Sequence, residues 1–443
     1  MTALNTILSN FNVMLDELEI IKVHGKVQDV IGLVIVSNGP NVALGEICSI
    51  VNRNGAEICK SEVVGFKEGK VLSIALGEVQ NISPSCEIRS TGENFRIAVG
   101  ESLLGRVIDG LGRPIDNKGP LLASDSREIF QLPPNPLERR RITEPLQTGI
   151  RTIDGLLTVG KGQRIGIFAG SGVGKSVTLG MIARNTNADV NVITLIGERG
   201  REVREFIEKD LGPEGLKRSV IVVATSDQSA LIRMKGALIG TTIAEYFRDT
   251  GSDVVLMMDS VTRFAMAQRE IGLAIGEPPT TKGYTPSVFA LLPKLLERAG
   301  NKERGSITGL YTVLVDGDDM TEPIADAVRS ILDGHIVLSR KLANKGQYPA
   351  IDPLQSVSRV MPDLVPSDHR ERAMIFSEIL STYNEAEDLI NIGAYVKGSN
   401  PQIDHALTKI SALRTFLKQD MTELAMYEDT VQRLNKIIEQ PIG

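Results

Sequence analysis

Eight residues, AGSGVGKS at positions 169–176, limit what this chain can fold into more than any other stretch does. An apolar, β-branched run at 165–168 precedes them, and a helical pattern over 175–184 follows. A strand, a glycine-rich turn and a helix in this order are typical of the phosphate-binding P-loop, or Walker A motif, of α/β proteins. Ala169 stands where the GxxxxGK[ST] pattern has its first glycine, and alanine tolerates most backbone conformations at that point.

This loop supplies the first candidate site residues. Its backbone N–H groups and the helix N-terminus are expected to face phosphate oxygens, with Lys175 reaching the β and γ phosphates and the Ser176 hydroxyl binding Mg²⁺. The predicted phosphate-binding residues are Ala169, Gly170, Ser171, Gly172, Val173, Gly174, Lys175 and Ser176.

The region around the loop predicts a parallel sheet. From Gln163 to about Arg340, short apolar runs alternate with helical patterns, and the runs lack the in/out alternation of a half-exposed strand. Apolar strands joined by helices are typical of a parallel sheet that is covered on both faces. The predicted strands are 165–168, 190–196, 220–224, 254–258, 307–315 and 336–338, and the predicted helices are 175–184, 230–248, 286–298 and 323–332.

The two ends of the chain have different textures. Short β-branched runs between glycine turns predict a small β-barrel over residues 23–92. Ahead of it, apolar residues at three- and four-residue steps predict an amphipathic helix over residues 1–22, which either packs on the barrel or docks on another protein. The strand signal ends after the α/β region at 93–365, so residues 366–443 are predicted to be helical, with Asn400 as the N-cap of one helix.

Composition narrows the function classes. The 443 residues include 49 Lys and Arg and 55 Asp and Glu, which gives a net charge of −6, and 4% are aromatic. This charge and the scarcity of stacking side chains argue against nucleic-acid binding, and the proline-flanked run Arg139-Arg140-Arg141 is expected to be a solvated connector. No apolar run reaches the ~18 residues of a membrane span, so the chain is expected to be cytoplasmic. Three cysteines without CxxC spacing are expected to be reduced packing residues.

Two acids follow predicted strands at the edge where the P-loop lies. Asp259 follows the strand at 254–258, where a Walker B carboxylate would reach the metal ion, although an Asp at this place also caps helices. Glu198 follows the strand at 190–196 and could orient the attacking water. Arg199 and Arg201 come directly after it, and on spacing alone an exposed salt-bridge cluster explains these charges equally well.

Four segments, in this order, resemble those of the type III protein-export ATPases, which are related to the catalytic subunits of rotary ATP synthases. The segments are AGSGVGKS, IGERGREV, VVLMMDSVTRF and YPAIDPLQSVSRVM. The resemblance includes LLGRVIDGLGRPID and EPLQTGIRTIDGL and so covers nearly the whole chain. Two further segments resemble the flagellar branch of this family more than the virulence-injectisome branch. They are GEPPTTKGYTPSVFALLPKLLERAG and INIGAYVKGSNPQID. The implied fold is a RecA-like P-loop domain with a parallel sheet, between an N-terminal β-barrel and a C-terminal helical domain.

The resemblance also implies roles for single residues. Glu198 would activate water, and Arg199 and Arg263 would lie near the phosphates. Tyr348 would stack on adenine, although a ring next to prolines is often a packing residue. Arg359 would be an arginine finger that a neighbouring subunit inserts, although a structural ion pair is the plainer alternative.

As a whole, the resemblance implies a Mg²⁺-dependent ATPase whose homo-hexameric ring energises flagellar protein export at the cytoplasmic face of the inner membrane. Its implied partners are a regulatory protein docking on the N-terminal helix, a coiled-coil stalk protein, export chaperones with cargo, and the membrane export gate. An injectisome ATPase, a non-catalytic ring subunit and a nucleic-acid translocase are the alternatives. The acidic loop from Asp316 to Glu322 would lie near the opening of the ring.

Overall fold

The fold is taken from a computed structural model, which describes residues 24–77, 80–315, 317 and 319–439. The helix predicted over residues 1–22 lies outside the described residues. The chain divides into two compact units, with the boundary between Phe95 and Arg96.

The first unit is a closed six-stranded antiparallel barrel, as predicted, with strand order β1-β2-β5-β4-β3-β6. Alternate side chains of its strands, including Val27, Ile35, Ile50 and Ile88, are buried inside it. Cys48 and Cys86 are buried packing residues, and Cys59 is partly buried. The strands are β1 (Gly25–Ile31), β2 (Val34–Asn38), β3 (Glu46–Val51), β4 (Glu57–Lys67), β5 (Lys70–Ala75) and β6 (Glu87–Asn94).

The second unit is built on a nine-stranded sheet of order β19-β18-β12-β17-β15-β13-β14-β8, with β16 pairing to β17. Two short two-stranded sheets, β7-β9 and β10-β11, lie beside it. The strands are β7 (Arg96–Val99), β8 (Val107–Asp109), β9 (Asp125–Glu128), β10 (Pro145–Leu146), β11 (Val159–Gly160), β12 (Arg164–Ala169), β13 (Val190–Ile196), β14 (Ser219–Ala224), β15 (Asp253–Asp259), β16 (Gly300–Asn301), β17 (Ser306–Leu314), β18 (Gly334–Leu338) and β19 (Ile351–Ser358).

The predicted parallel sheet is confirmed in its centre and needs correction at its edges. All residues of β13 and β14 are buried, which explains why these strands read as unbroken apolar runs. The edge strand β19 runs antiparallel to β18, and β8 extends the other edge as a parallel strand. Neither was predicted, because β19 carries proline and polar residues and β8 is only three residues long.

Helices cover the sheet and form the end of the chain. The α-helices are Arg151–Leu156, Lys175–Asn185, Gly200–Glu205, Gly212–Lys217, Ala230–Asp249, Val261–Ala274, Pro286–Leu296, Pro323–Ile331, Arg340–Asn344, Met361–Leu364, Ser367–Asn391, Pro401–Leu417 and Tyr427–Glu439. A π-helical segment, Phe206–Leu211, joins two of them. No helix in the described part of the chain is long and apolar enough to cross a membrane.

The C-terminal helices share one hydrophobic core with the sheet. Phe376 and Phe416 belong to the same buried cluster as Ile153 beside the sheet. The predicted cap is confirmed, because the Asn400 side chain accepts hydrogen bonds from the backbone N–H groups of two residues in the first turn of Pro401–Leu417. The helical part is therefore packed against the α/β part within one compact unit, and the division predicted at 365/366 stays a prediction.

The connector with the basic run is held to the sheet at two points. An Arg139 guanidinium N–H donates to the carbonyl of Ala299 at 2.7 Å, and the Arg140 Nε–H donates to the carbonyl of Lys302 at 2.8 Å. Arg140 and Arg141 are exposed. The run thus anchors an extended segment to a turn, which corrects the expectation of a merely solvated connector for Arg139.

Candidate active site

Three predicted site residues meet at the carboxyl edge of the sheet. Lys175 follows β12, Glu198 follows β13, and Asp259 ends β15, and these strands lie close together in the sheet order. The Lys175 ammonium contacts the Asp259 carboxylate and lies 3.4 Å from Oε1 of Glu198. The side chains of Lys175, Glu198 and Asp259 are only 12%, 17% and 4% exposed. One cation and two anions are thus held together out of most solvent contact.

The glycine loop has the backbone conformation that its sequence predicts. Gly172 and Gly174 have φ angles of +77° and +91°, which side chains with a Cβ rarely adopt. The helix Lys175–Asn185 begins after Gly174 and has no side-chain cap at its N-terminus. Its first N–H groups are therefore available to an external acceptor, and the positive end of the helix dipole favours an anion there.

Asp259 is held by the neighbouring strand. The Thr312 hydroxyl on β17 donates to Asp259 Oδ1 at 2.8 Å. The alternative that Asp259 merely caps the following helix is not what the structure shows, because the Ser260 side chain accepts from the backbone N–H of Arg263 at 3.2 Å and forms that cap. The Asp259 carboxylate is therefore left facing Lys175.

The electrostatics of the cluster are dominated by burial. Burial raises the pKa of Glu198 to about 7, Lys175 opposes this shift, and the nearby Asp259 and Glu202 carboxylates add to it. Burial by itself would lower the pKa of Lys175, but the charges of Asp259 and Glu198 raise it above its usual value. A carboxyl group with a raised pKa stabilises the fold only while it is protonated, so the contribution of Glu198 to stability is lost as pH rises through about 7.

The residues fit Mg²⁺. The cluster carries one negative charge in excess, and Mg²⁺ prefers carboxylate, hydroxyl and phosphate oxygens. Ser176 is exposed in the first turn of the P-loop helix, next to Lys175, and Asp259 supplies the carboxylate. Sites with so few protein ligands are usual for this ion, which keeps waters and substrate oxygens in its shell.

Arg263 lies beside the backbone of the Glu198 loop. A Cβ added at Gly197 would come within 3.1 Å of the Arg263 side chain, so glycine allows this close approach. Arg263 Nε is buried, and within the described part of the chain it has no hydrogen-bond partner. Buried guanidinium donors are normally paired, so this orphaned N–H is suited to an oxygen of a bound ligand.

Arg199 lies apart from the buried cluster. Its side chain is 81% exposed and pairs with Glu202 at 3.3 Å. In this arrangement the guanidinium faces solvent, so the structure brings Arg263, but not Arg199, against the Glu198 loop. The exposed-salt-bridge alternative describes Arg199 and Glu202 as they stand in the single chain.

Tyr348 forms one wall of an apolar cavity of about 290 Å³. Its ring lies 3.6 Å from the position that a Cβ would take at Gly174, and it is 48% exposed. A second wall, Gln419 to Met421, was not predicted, because it follows the last turn of a C-terminal helix and carries no motif. The backbone N–H of Gln419 donates to the carbonyl of Tyr348 at 2.9 Å, which ties the two walls together.

Arg151 fixes the wall formed by Gln419 to Met421 to the α/β part. Its backbone N–H donates to the Gln419 side chain at 2.9 Å, and its Nε–H donates to the carbonyl of Phe416 at 3.1 Å. Gln419 in turn donates to the carbonyl of Gly149 at 2.7 Å. The cavity beside the P-loop is therefore built jointly by the α/β part and the C-terminal segment.

Arg359 is at the opposite end of the sheet from the P-loop. Leu338 pairs with Ala169 at the P-loop end of β18, whereas Gly334, at the other end, pairs with Ser358. The four-residue step between Leu338 and Gly334 corresponds to about 13 Å along the strand. Arg359 follows Ser358 and is exposed, so the structure does not bring it to the Lys175 cluster of its own chain.

Comparison with known proteins agrees with this architecture. The ATP synthase alpha/beta family, nucleotide-binding domain, matches residues 149–358, and the β-barrel domain of the same family matches residues 27–92. The T3SS EscN ATPase C-terminal domain matches residues 365–436. The three models together account for the barrel, the sheet and the C-terminal helices.

Individual relatives span almost the whole chain. The flagellum-specific ATP synthase of Bacillus subtilis is 58% identical over 94% of this chain and 95% of that protein, and the type 3 secretion system ATPase of Xanthomonas euvesicatoria is 52% identical over 94% of each. The assembled ATPase EscN of enteropathogenic E. coli, 46% identical, has a TM-score of 0.89 over 94% of this chain and all of that chain, and 0.87 in complex with its central stalk EscO. The chain therefore belongs to the ATP synthase alpha/beta family, among the flagellum-specific and type 3 secretion ATPases.

Proposed function

We propose that this chain is a Mg²⁺-dependent ATPase that works as a homo-hexameric ring and energises type III export of flagellar proteins. The observation that carries the proposal is the buried cluster of Lys175, Glu198 and Asp259 beside the uncapped P-loop helix. These residues supply a cation for phosphates, a carboxylate for water and a carboxylate for a metal ion, which are the groups that phosphoryl transfer to water needs.

In the proposed reaction the triphosphate lies along residues 169–176, with Lys175 against the β and γ phosphates. Ser176 and Asp259 would hold Mg²⁺, which would supply positive charge to neutralise the phosphate oxygens. Glu198 accepts a hydrogen bond from the attacking water and directs its oxygen toward the γ phosphorus. The γ-phosphoryl group then passes from ADP to this water, and the products are ADP, phosphate and a proton.

Two further side chains bind the nucleotide in this proposal. Arg263 donates its unused Nε–H to a phosphate oxygen. The adenine base enters the cavity between Tyr348 and the segment from Gln419 to Met421 and stacks on the Tyr348 ring. Arg199 reaches the γ-phosphate only if its ion pair with Glu202 breaks. Because this pair is exposed, breaking it costs little free energy.

The ring is inferred from Arg359. Because Arg359 lies at the end of the sheet away from its own Lys175, its guanidinium can serve as a finger only for a neighbouring chain. A head-to-tail interface of this kind closes into a ring when the rotation between neighbouring chains divides a full turn, and we propose that it does so here. The solved relative EscN is described as an assembled ATPase, which supports assembly of this chain too.

The partners and place of action are proposed from the relatives. EscN has been solved in complex with its central stalk EscO, so a stalk protein in the centre of the ring is proposed here. A regulatory protein on the N-terminal segment, export chaperones with cargo and the membrane export gate complete the proposed assembly at the cytoplasmic face of the inner membrane. The acidic loop 316–322, of which Asp316 and Asp318 are not described, is proposed to face the ring opening.

Glu198 also separates this function from a non-catalytic ring subunit, which would bind nucleotide without a carboxylate for water. The test is ATP turnover of the Glu198→Gln variant, with Glu208→Gln, an exposed change on the following segment, as the matched control. We expect about 10²- to 10⁴-fold lower kcat for the first variant only. Equal turnover of both variants would contradict the assigned role.

Two further measurements separate the biological alternatives. Affinity capture of the full chain from cell extract should recover flagellar export components, whereas recovery of injectisome components would move the chain to the virulence branch. ATP turnover with added single-stranded RNA or DNA should stay unchanged. Strong stimulation by either would instead indicate a nucleic-acid translocase.

A further inference from the structure

A second cavity has a volume of about 280 Å³. Its lining includes residues next in sequence to those of the cavity beside Tyr348, which we call the base pocket. The loop that leads into Tyr348 forms one side of it, through Lys345 and Gln347, and the C-terminal helices form the other side, through Glu387, Arg414 and Lys418. The nucleotide mechanism uses none of these side chains. The cavity therefore needs an explanation of its own.

An unpaired donor on Gln347 indicates that the cavity has a ligand. Gln347 is only 7% exposed, and within the described residues its Nε2 has no hydrogen-bond partner. A buried amide N–H without an acceptor is costly and uncommon in folded proteins. Because Gln347 lines the cavity, an acceptor atom inside the cavity would satisfy this donor.

The carboxylates at the cavity are already engaged. Glu387 accepts from the Lys345 ammonium at 2.8 and 2.9 Å and from Arg414 at 3.1 Å. Asp352 accepts two backbone N–H groups and the side-chain amide of Gln355, at 2.7–3.3 Å. Both carboxylates therefore already accept hydrogen bonds from groups other than Gln347.

The cations outnumber these acids. Three cationic side chains line the cavity together with two carboxylates, and Lys341 adds positive charge near Glu387. The Lys418 side chain is exposed at the cavity rim and has no ion-pair partner in the described ranges. Hydrogen-bond donors without acceptors and an excess of positive charge around one cavity together favour the binding of an anion with several acceptor oxygens.

We propose that this cavity binds a small oxyanion of the phosphate or carboxylate class, held by Gln347 Nε2, the Lys418 ammonium and the remaining N–H groups of Arg414. Its position links it to nucleotide binding. Gln347 directly precedes Tyr348, and Lys418 directly precedes Gln419, whose N–H bonds the Tyr348 carbonyl. An anion that draws Gln347 and Lys418 together would hold both walls of the base pocket in place and lower the KM for ATP.

Binding of the anion does not depend on the proposed ATPase function, whereas its effect on KM does. The test is calorimetric titration of inorganic phosphate, and separately of acetate, into the full chain saturated with Mg²⁺ and a non-hydrolysable ATP analogue. The analogue keeps phosphate out of the P-loop. The same titration into the Lys175→Ala variant covers the case in which the analogue does not bind.

We expect saturable binding of at least one of the two anions. Gln347→Leu and Lys418→Gln should each weaken it by about tenfold, the loss expected for one hydrogen bond or charge contact to an anion. Lys397→Gln, an exposed change far along the helical part, is the matched control and should leave it unchanged. Gln347→Leu should also keep the urea midpoint of unfolding, because it removes an unpaired donor.

Three results would decide against the proposal or part of it. Absence of binding in the wild type, or equal binding in all variants, would overturn the site and leave Gln347 as a water-bonded residue. Binding without any change in the KM for ATP would remove only the regulatory link. If the chain does not hydrolyse ATP, the proposed function fails, and the titrations still decide on the cavity.

Discussion

Mixing two inactive variants tests whether active sites are completed across a subunit interface. Glu198→Gln removes the carboxylate proposed to direct water, and Arg359→Ala removes the guanidinium proposed to act as the finger. In one chain these groups belong to different sites, because Arg359 lies at the end of the sheet away from Lys175. Each pure variant should lose activity, Arg359→Ala by about 10³- to 10⁵-fold.

The size of the rescue follows from the geometry of a closed ring. A site in a mixed ring is intact when its own chain keeps Glu198 and the neighbouring chain keeps Arg359. With equal amounts of the two variants and random order, both conditions hold for about one site in four. Turnover of the mixture should therefore reach about a quarter of the wild-type rate if the sites act independently.

The assay is steady-state ATP turnover of co-assembled chains, at protein concentrations that span ring assembly. A mixture of Glu198→Gln with the double variant Glu198→Gln/Arg359→Ala has no intact site and is the negative control. If the first mixture shows no more turnover than this control, Arg359 does not act across an interface. Full turnover of Arg359→Ala alone would also refute the reasoning.

Three further predictions concern pH, the base pocket and the core. Since the pKa of Glu198 is raised to about 7, kcat/KM of the wild type should fall as pH is lowered through 7, and Glu198→Gln should stabilise the fold more at pH 8 than at pH 5 in urea titrations. Tyr348→Ala should raise the KM for ATP about 5- to 150-fold, and Tyr348→Phe should leave it nearly unchanged, because stacking contributes about 1–3 kcal/mol. Glu245→Leu should cost about 3–5 kcal/mol of unfolding free energy, since it leaves the buried Arg298 guanidinium unpaired, and Arg298→Leu/Glu245→Leu should cost less.

Sequence reasoning located the site residues that are set by local chemistry. The P-loop needs left-handed glycines at Gly172 and Gly174, and the sequence has them there. Asp259 and Glu198 could be placed at one edge of the sheet because the carboxyl ends of parallel strands meet there. That Lys175 contacts both acids is seen only in the folded structure.

Other features could not be predicted, because they depend on segments far apart in the chain. The wall of the base pocket at Gln419 is about 70 residues from Tyr348, and no motif marks it. The antiparallel direction of β19 is seen only in its pairing with β18, because the sequence of β19 carries proline and polar residues and no clear strand pattern. The exposed pairing of Arg199 with Glu202, in contrast, is a local contact that the spacing of the charges already allowed.

Taken alone, the sequence determined the order of barrel, α/β sheet and helices, because periodicity and glycine turns act over a few residues. It also marked the residues that are proposed to hold phosphate and to direct water. Tertiary structure decided which of these groups touch, how far Arg359 lies from its own site, and that the C-terminal segment closes the base pocket. These features are distances between elements that come together only when the chain packs. Local sequence patterns therefore do not determine them.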